Sequence, residues 1–189
     1  MKKRALFLDR DGVINVDHGY VHRPESFEFV DGIFELCKCA NDSGYEIFIV
    51  TNQAGIGRGY YSEHDFHVLT AWMKARFRDN GVEIADVYFC PCHPEHGVGA
   101  YKRESARRKP NPGMLLDAAR EHGVDLAASM LIGDKHSDIE AGRRAGIGCS
   151  VLYSADGTGS VEADHVICRL SQAHTLLGHS AWRQQRVGA

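Results

Sequence analysis

Long apolar runs are missing from this 189-residue sequence. Even the run through residues 47–50 is far too short to cross a bilayer. The N-terminus begins Met1-Lys2-Lys3-Arg4 and reaches Asp9 after a handful of apolar residues, whereas a signal peptide needs a longer apolar stretch and a small-residue cleavage site. We therefore expect a cytoplasmic protein that has no membrane partner.

An excess of positive charge is also missing. The sequence has 22 Lys and Arg against 25 Asp and Glu, which gives a formal net charge of −3 and no basic surface for nucleic acid. It has no internal repeat or low-complexity tract, and a composition of 43% hydrophobic and 25% charged residues is typical of a soluble globular protein. We expect one domain over residues 1–180, a loose tail at 181–189, and a monomer.

Support for disulfides is weak, although the sequence has six cysteines. Two lie in a helical pattern and two lie in or near strand-like segments, and no export signal precedes them. We therefore expect free thiols. The remaining pair, Cys90 and Cys92, flanks Pro91 and is the pair for which a metal site has to be considered.

The sequence does contain a regular alternation of short apolar strands and amphipathic helices. Strands are predicted at residues 5–8, 46–50, 87–90, 129–132, 149–152 and 165–168. Helices are predicted at residues 32–40, 63–79, 113–122, 139–144 and 171–178. This alternation predicts an α/β fold with a doubly wound, mostly parallel, Rossmann-like sheet that is covered by helices on both faces.

Polar residues follow three of the predicted strands. Asp9 and Asp11 come after the first, Thr51 and Asn52 after the second, and Asp134 after the fourth. Each pair alone is also typical of a turn or a cap. Ligands of such sheets bind outside the carboxyl ends of the strands, so the set together predicts one shared crevice.

These residues suit phosphoryl chemistry. Asp9, Asp11 and Asp134 offer the oxygen ligands that Mg²⁺ prefers, and a bound cation would orient a phosphate for in-line attack by Asp9. Asp11 is then placed to act as general acid and base. The Thr51 hydroxyl can bond phosphate oxygens, and Lys109 is the candidate cation for the charge that develops.

The segments around these residues resemble the four motifs of the haloacid dehalogenase superfamily. In order, they are Leu8-Asp9-Arg10-Asp11-Gly12, Val50-Thr51-Asn52-Gln53, Arg108-Lys109-Pro110 and Gly133-Asp134-Lys135-His136-Ser137-Asp138. The resemblance covers almost the whole chain and implies a magnesium-dependent phosphatase that passes through an aspartyl-phosphate. It makes Asp9 the nucleophile and Asp11 the acid and base, with Thr51 and Lys109 on the phosphate. It also implies that Asp134 completes the magnesium site and that Asp138 supports it.

A narrower resemblance is to the D-glycero-D-manno-heptose-1,7-bisphosphate 7-phosphatases. It rests on residues 15–21, 52–59 and 109–115. It implies a fold without a separate cap domain and removal of the 7-phosphate of a heptose bisphosphate in lipopolysaccharide-core biosynthesis. Arg108 would then reach the remote part of the sugar bisphosphate, since a guanidinium binds phosphate in a bidentate manner. The other expected substrate contacts are Asn52, Gln53, Arg58, Asp17, His18 and Gly19.

Other functions remain open from the sequence. Histidinol-phosphate phosphatases share much of the pattern, and they would need an acidic pocket for the amine of their substrate. A catalytically silent binding protein on the same scaffold would be expected to lack Asp9 or Asp11, and both are present. A dinucleotide-binding protein would need a Gly-rich first turn, which here carries aspartates instead.

The sequence departs from these relatives in the loop that precedes Arg108. The relatives usually hold a structural zinc there with a Cys-x-His pair and a later Cys-x-Cys pair. Here Cys90 and Cys92 are followed by His93 and His96, but Ser105-Ala106-Arg107 stands where the second pair is expected. Four ligands within seven residues would strain a tetrahedral site. Zinc therefore stays doubtful, and the alternative is a loop ordered by other contacts.

Overall fold

A computed structural model of the protein describes residues 3–155, 157 and 162–178, so the tail predicted at 181–189 lies outside the described residues. Its named strands form one six-stranded sheet in the order β3-β2-β1-β4-β5-β6, and every neighbouring pair is parallel. The strands are β1 (Arg4–Leu8), β2 (Tyr45–Asn52), β3 (Ile84–Cys90), β4 (Met130–Gly133), β5 (Cys149–Tyr153) and β6 (His165–Ile167). The strand order reverses at β1, which places the crevice of the fold beside that strand.

In the part of the chain that the structure describes, six α-helices connect or follow the strands. They are α1 (Ile33–Asp42), α2 (Ala54–Gly57), α3 (Glu63–Asp79), α4 (Gly113–His122), α5 (His136–Ala145) and α6 (His174–Gly178). No helix of the described residues combines the length and the apolar character that crossing a membrane requires.

The alternation of side chains along β1 shows how the sheet is buried on both faces. Leu6 and Leu8 belong to one hydrophobic core, which also holds apolar residues of α1, α3 and α6. Ala5 and Phe7 point to the other core, which holds apolar residues of α4 and α5. This two-sided burial is the reason that β1 reads as a continuous apolar run, and it confirms the predicted doubly wound α/β fold.

Helix α3 has the bounds that the sequence predicts. The Ser62 hydroxyl accepts a hydrogen bond from the Asp65 amide, and the Ser62 amide donates to the Asp65 carboxylate, which makes a capping box. The apolar side chains of its predicted buried face are all buried, namely Phe66, Leu69, Met73 and Phe77. Helix α2 was not predicted, because a single four-residue turn carries no apolar period.

The segment between β1 and α1 is irregular but well bonded. The carbonyl of Arg10 accepts hydrogen bonds from the amides of Ile14 and Asn15, and the Val16 amide donates to Glu28 O at 2.8 Å. These bonds fold the segment back over the carboxyl end of β1. Residues 17–20 are thereby brought to the crevice.

Candidate active site

Asp9 lies at the end of the central strand β1. Its amide donates to Ile132 O of β4 at 3.0 Å, and its Oδ1 accepts the Arg10 amide at 2.7 Å. The side chain is buried, and this burial raises the pKa of Asp9 against the opposing effect of Lys109. The carboxylate is therefore held in place and is poorly solvated, as a nucleophile requires.

Lys109 carries the positive charge beside Asp9. Its Nζ lies 2.9 Å from Asp9 Oδ1 and 2.6 Å from Asp138 Oδ1, and it donates to Val50 O at 2.7 Å. Burial alone would favour the neutral amine, but the carboxylates of Asp138 and Asp9 outweigh it and raise the pKa of Lys109. A buried ammonium thus bridges the nucleophile and a second acid.

Asn52 fixes the backbone that carries Lys109. Its Nδ2 donates to Lys109 O at 3.0 Å, and its Oδ1 accepts the Lys109 amide at 3.0 Å. Both ends of the amide are used in this reciprocal pair. Asn52 also lines the pocket, as predicted, but its side-chain bonds are made to the protein.

Three carboxylates form a compact group in the site. Ligand oxygens of Asp9, Asp134 and Asp138 all lie within 4.8 Å of one another. Burial, followed by the charge of Asp9, raises the pKa of Asp134 to about 7. Asp134 Oδ1 is buried and has no hydrogen-bond partner among the described residues. Such a group of hard oxygen ligands with an unsatisfied atom fits Mg²⁺, which would relieve the repulsion.

The carboxylate of Asp11 faces a different direction from this group. Its oxygens accept bonds from Arg10 Nε and Nη2 at 2.8 to 3.1 Å, from Asn15 Nδ2 at 3.1 Å and from Gln53 Nε2 at 3.0 Å. The Asp11 carboxylate is thus not a member of the acidic group, and its expected role as a magnesium ligand stays a prediction. Asp138, which the sequence placed in a supporting role, is the third member of the acidic group instead.

These groups line a pocket of about 200 Å³ at the carboxyl edge of the sheet. The predicted residues that line it are Asp9, Asp11, Asp17, Gly19, Thr51, Asn52, Gln53 and Lys109. Asp17 is held there by Lys135, whose Nζ donates to it at 3.1 Å. Burial opposes the charge of Asp17, but Lys135 and the Gly19 amide outweigh it and lower the pKa of Asp17.

Three predicted substrate contacts lie elsewhere: of the described side chains, those of His18, Arg58 and Arg108 do not line this pocket. His18 is exposed and pairs with Glu28 at 3.0 Å. Arg108 donates to Cys92 O at 3.1 Å, and the Arg58 guanidinium lies 5.8 Å from the centre of the Tyr20 ring. In this arrangement their side chains are engaged with the loops around the pocket, and their role as substrate ligands stays a prediction.

Sequence reasoning missed several lining residues, notably Lys135, Tyr20 and Tyr61. Lys135 stands inside the quoted fourth motif, so its position beside Asp134 was an available signal. Tyr20 has a positive φ of 55°, which is uncommon for a bulky residue and is not readable from the sequence. Tyr61 follows an unpredicted helical turn, and no periodicity marks it.

The loop between β3 and α4 is ordered by protein contacts. The four possible zinc ligands Cys90, Cys92, His93 and His96 do not gather into a group of three; among the described residues only Asp9, Asp134 and Asp138 do so. His93 and Tyr101 are joined by a backbone hydrogen bond of 3.0 Å, and the Val98 amide donates to Gly57 O at 2.7 Å. Zinc is not supported by this arrangement.

Comparisons with known proteins agree with this fold and site. The family model described as "HAD-hyrolase-like" matches residues 106–173. The D-glycero-alpha-D-manno-heptose-1,7-bisphosphate 7-phosphatase of Burkholderia mallei is 62% identical over 152 residues, which is 80% of each chain. The D-glycero-beta-D-manno-heptose-1,7-bisphosphate 7-phosphatase of Vibrio cholerae is 51% identical over 80% of this chain and 82% of its own.

A solved structure shows the same architecture. The D,D-heptose 1.7-bisphosphate phosphatase from B. bronchiseptica, complexed with magnesium and phosphate, superposes with a TM-score of 0.79 at 27% identity. The match covers 92% of this chain and 97% of that one. The sheet and its acidic edge are thus those of a phosphatase of the haloacid-dehalogenase-like hydrolases. Within that class the chain belongs to the family of heptose-1,7-bisphosphate 7-phosphatases.

Proposed function

We propose that this chain is a magnesium-dependent phosphatase that removes the 7-phosphate of D-glycero-D-manno-heptose 1,7-bisphosphate. The observation that carries the proposal is the convergence of Asp9, Lys109 and the Asp134 carboxylate beside the pocket that Asp11 also lines. The names of the relatives at 62% and 51% identity support the heptose substrate.

In the first step the Asp9 carboxylate attacks the phosphorus of the 7-phosphate. An aspartyl-phosphate forms as the bond between phosphorus and the C7 oxygen breaks. Lys109, which already lies 2.9 Å from Asp9 Oδ1, stabilises the charge on the phosphate oxygens, and the Thr51 hydroxyl donates to one of them. Mg²⁺ held by Asp9 and Asp134 would reduce the repulsion between the phosphate and the attacking carboxylate.

Asp11 acts as the general acid in the first step and as the general base in the second. It gives a proton to the C7 oxygen as the sugar leaves. It then takes a proton from the water that attacks the aspartyl-phosphate, which releases inorganic phosphate and restores Asp9. The proton given in the first step is thus recovered in the second.

The pocket does not favour an amine substrate such as histidinol phosphate. Asp17 is paired with Lys135, and Asp9 and Asp138 are paired with Lys109. The Asp11 carboxylate is paired with Arg10. Each of the pocket acids therefore already has a cation, and an incoming ammonium would have to displace one.

The test is phosphate release from heptose 1,7-bisphosphate, with and without Mg²⁺, by the unmodified protein, by Asp9→Asn and by a matched control, Asp31→Asn, at an exposed aspartate. We expect fast, magnesium-dependent release that Asp9→Asn abolishes and Asp31→Asn keeps. Full activity of Asp9→Asn would contradict the mechanism. Faster turnover of histidinol phosphate than of the heptose ester would contradict the substrate.

The same assay should be run on both anomers. One relative is named for the α anomer and the other for the β anomer. The name of the relative at 62% identity favours the α anomer for this chain, so we expect a higher kcat/KM for the α anomer than for the β anomer. We infer further that the enzyme acts as a cytoplasmic monomer of one domain, without a nucleic-acid or membrane partner. The net charge of −3 supports the absence of a nucleic-acid partner, and light scattering on the full chain measures the mass.

A further inference from the structure

Gln53 is a buried polar side chain at the rim of the active site. It follows β2 directly and is 1% exposed. Burying a primary amide is costly unless both of its ends are hydrogen-bonded. Here the amide has three partners, and they are the hydroxyl of Thr51, the carboxylate of Asp11 and the hydroxyl of Tyr61.

The partners decide which way the amide points. The Asp11 oxygens accept all of their other bonds, from Arg10 and Asn15, so the amide nitrogen faces them. Nε2 donates to Asp11 at 3.0 Å and to Thr51 Oγ1 at 2.8 Å. The amide oxygen is left to face Tyr61, whose hydroxyl lies 2.5 Å away and must therefore donate. A flipped amide would set an oxygen against the carboxylate and lose these bonds.

The surroundings of Tyr61 fix its ring, and the ring in turn fixes the orientation of the Gln53 amide. Its ring is 8% exposed and stacks on His22 with the ring centres 4.9 Å apart and the planes at 4°. A Cβ at residue 55 would lie 2.3 Å from Tyr61 Cε1, so Gly55 leaves the room that the ring needs. Burial raises the pKa of Tyr61 to about 12, and the phenol therefore keeps the proton that it donates.

The orientation of Gln53 has two effects on the reacting groups. One lone pair of Thr51 Oγ1 is taken by the amide, so the hydroxyl proton of Thr51 is directed elsewhere and can be donated to a phosphate oxygen. The same amide group completes the set of donors that fixes the Asp11 carboxylate between β1 and β2. Neither effect requires Gln53 to touch the sugar.

We propose that Gln53, oriented by the Tyr61 hydroxyl, is a positioning residue that aims the Asp11 carboxyl group at the leaving oxygen. The inference rests on the proposed function, because it assumes that Asp11 is the general acid. It assigns Gln53 a role other than the sugar contact that the sequence suggested. The two roles differ in how the rate responds to the leaving group.

The experiment compares three esters through kcat/KM, which reports the steps up to formation of the aspartyl-phosphate. Phenyl phosphate and p-nitrophenyl phosphate have the same shape and no sugar, but nitrophenolate leaves with little need for a proton. For Gln53→Ala we expect kcat/KM to fall roughly tenfold more on phenyl phosphate and heptose bisphosphate than on p-nitrophenyl phosphate. The extra loss is smaller than the roughly 10²- to 10⁴-fold rate contribution of a general acid, because Gln53→Ala misplaces Asp11 without removing it.

Tyr61→Phe should give a smaller loss with the same dependence on the leaving group, since the ring stays and only the donated bond is removed. The matched control is Tyr88→Phe, which removes another buried phenol that donates to a carboxylate, at 2.8 Å from Glu121, away from the site. It should leave all three rates unchanged.

Equal losses of Gln53→Ala on both aryl esters would overturn the proposal. So would a loss confined to heptose bisphosphate, which is the result expected of a sugar contact. Asp11→Asn, measured on the same esters, tests the acid role of Asp11 separately from the positioning role of Gln53. If its losses are also independent of the leaving group, the acid role of Asp11 fails and the positioning role of Gln53 falls with it.

Discussion

At the scale of single residues, Gly12 shows how closely the loop after β1 approaches the acidic group. Its φ is +99°, a conformation that favours glycine, and a Cβ there would lie 2.3 Å from Asp134 Oδ2. The backbone at residue 12 therefore leaves room for the carboxylate that the magnesium site needs. A side chain at this position would push Asp134 out of the group.

Gly12→Ala should therefore weaken the response to Mg²⁺. We expect the Mg²⁺ concentration for half-maximal activity to rise by about tenfold or more, because a displaced ligand costs at least about 1.4 kcal/mol of binding free energy. Gly59→Ala is the control: its φ is +76°, but nothing lies within 4 Å of its Cβ, so it adds backbone strain without a clash. Equal magnesium dependence in the two variants would contradict the prediction.

The side chains that gather at the acidic edge were mostly predictable from the sequence, and their hydrogen bonds were not. Asp9, Thr51 and Asp134 follow from motifs at strand ends and Lys109 from the Arg108-Lys109-Pro110 motif. The fold brings all four to one edge. The direction of the Asp11 carboxylate depends on Gln53, which is 42 positions away. Contacts over such separations depend on side-chain rotamers, and the periodicity of a sequence carries no record of them.

At the scale of elements, α5 joins the site to its own surface cluster. Asp138 near its start accepts the Lys135 amide at 3.0 Å while its other oxygen pairs with Lys109. Two residues further, Glu140 accepts bonds of 2.7 to 2.8 Å from Arg143 and Arg144 at helical spacing. The helix that carries Asp138 is thus supported by charges along its outer face.

This cluster predicts a dependence of stability on pH. Hydrogen bonds from Arg143 lower the pKa of Glu140 from its ordinary 4.5 to about 2. A carboxyl group with a lowered folded-state pKa stabilises the fold above its unfolded pKa, and that stabilisation is lost as the pH falls from about 4.5 toward 2. Glu140→Gln should therefore lower Tm at pH 7, by an amount that shrinks as the pH falls through this range.

Thermal unfolding at several pH values measures the effect. Glu25→Gln, at an exposed glutamate outside the cluster, serves as the control and should change Tm little at any pH. A Tm difference for Glu140→Gln that stayed constant from pH 7 to pH 3 would show that the ion pairs contribute nothing.

Predictability of the elements follows their length and capping. Helix α3 was placed correctly because its 17 residues repeat an apolar face. The end of the chain was harder: a single helix was expected at 171–178, but a 3₁₀ segment at Leu170–Ala173 precedes α6. Short turns depend on tertiary packing, and the local sequence contains no information about it.

At the scale of the whole molecule, we expect the loop before α4 to keep its shape without a second metal site. Cys90 and Cys92 are buried, and burial raises the pKa of the Cys90 thiol, which disfavours the thiolate that zinc binds. Gly97 donates to His93 O at 3.1 Å, and Arg108 donates to Cys92 O, so the loop is closed by its own hydrogen bonds. Its shape is part of the protein fold.

Removal of zinc should therefore leave the fold intact. A structural zinc contributes on the order of 10 kcal/mol, so its loss would unfold a domain that depended on it. We expect no change in Tm after treatment with a zinc-selective chelator, with Mg²⁺ kept in excess. Elemental analysis of protein from zinc-supplemented cells is the companion measurement, and one bound zinc per chain with a large fall in Tm would contradict the expectation.

The wide spacing of the catalytic residues along the chain has a consequence for the protein during its synthesis. Asp9, Thr51, Lys109 and Asp134 come from four separate stretches, and Asp134 follows the strand that pairs directly with β1. Domains fold as units while the ribosome extends the chain. Under the proposed mechanism, a nascent chain therefore carries its nucleophile from the start but gains the rest of its active site only after β4 has emerged. Until then, any phosphate ester in the cell meets an inert polypeptide.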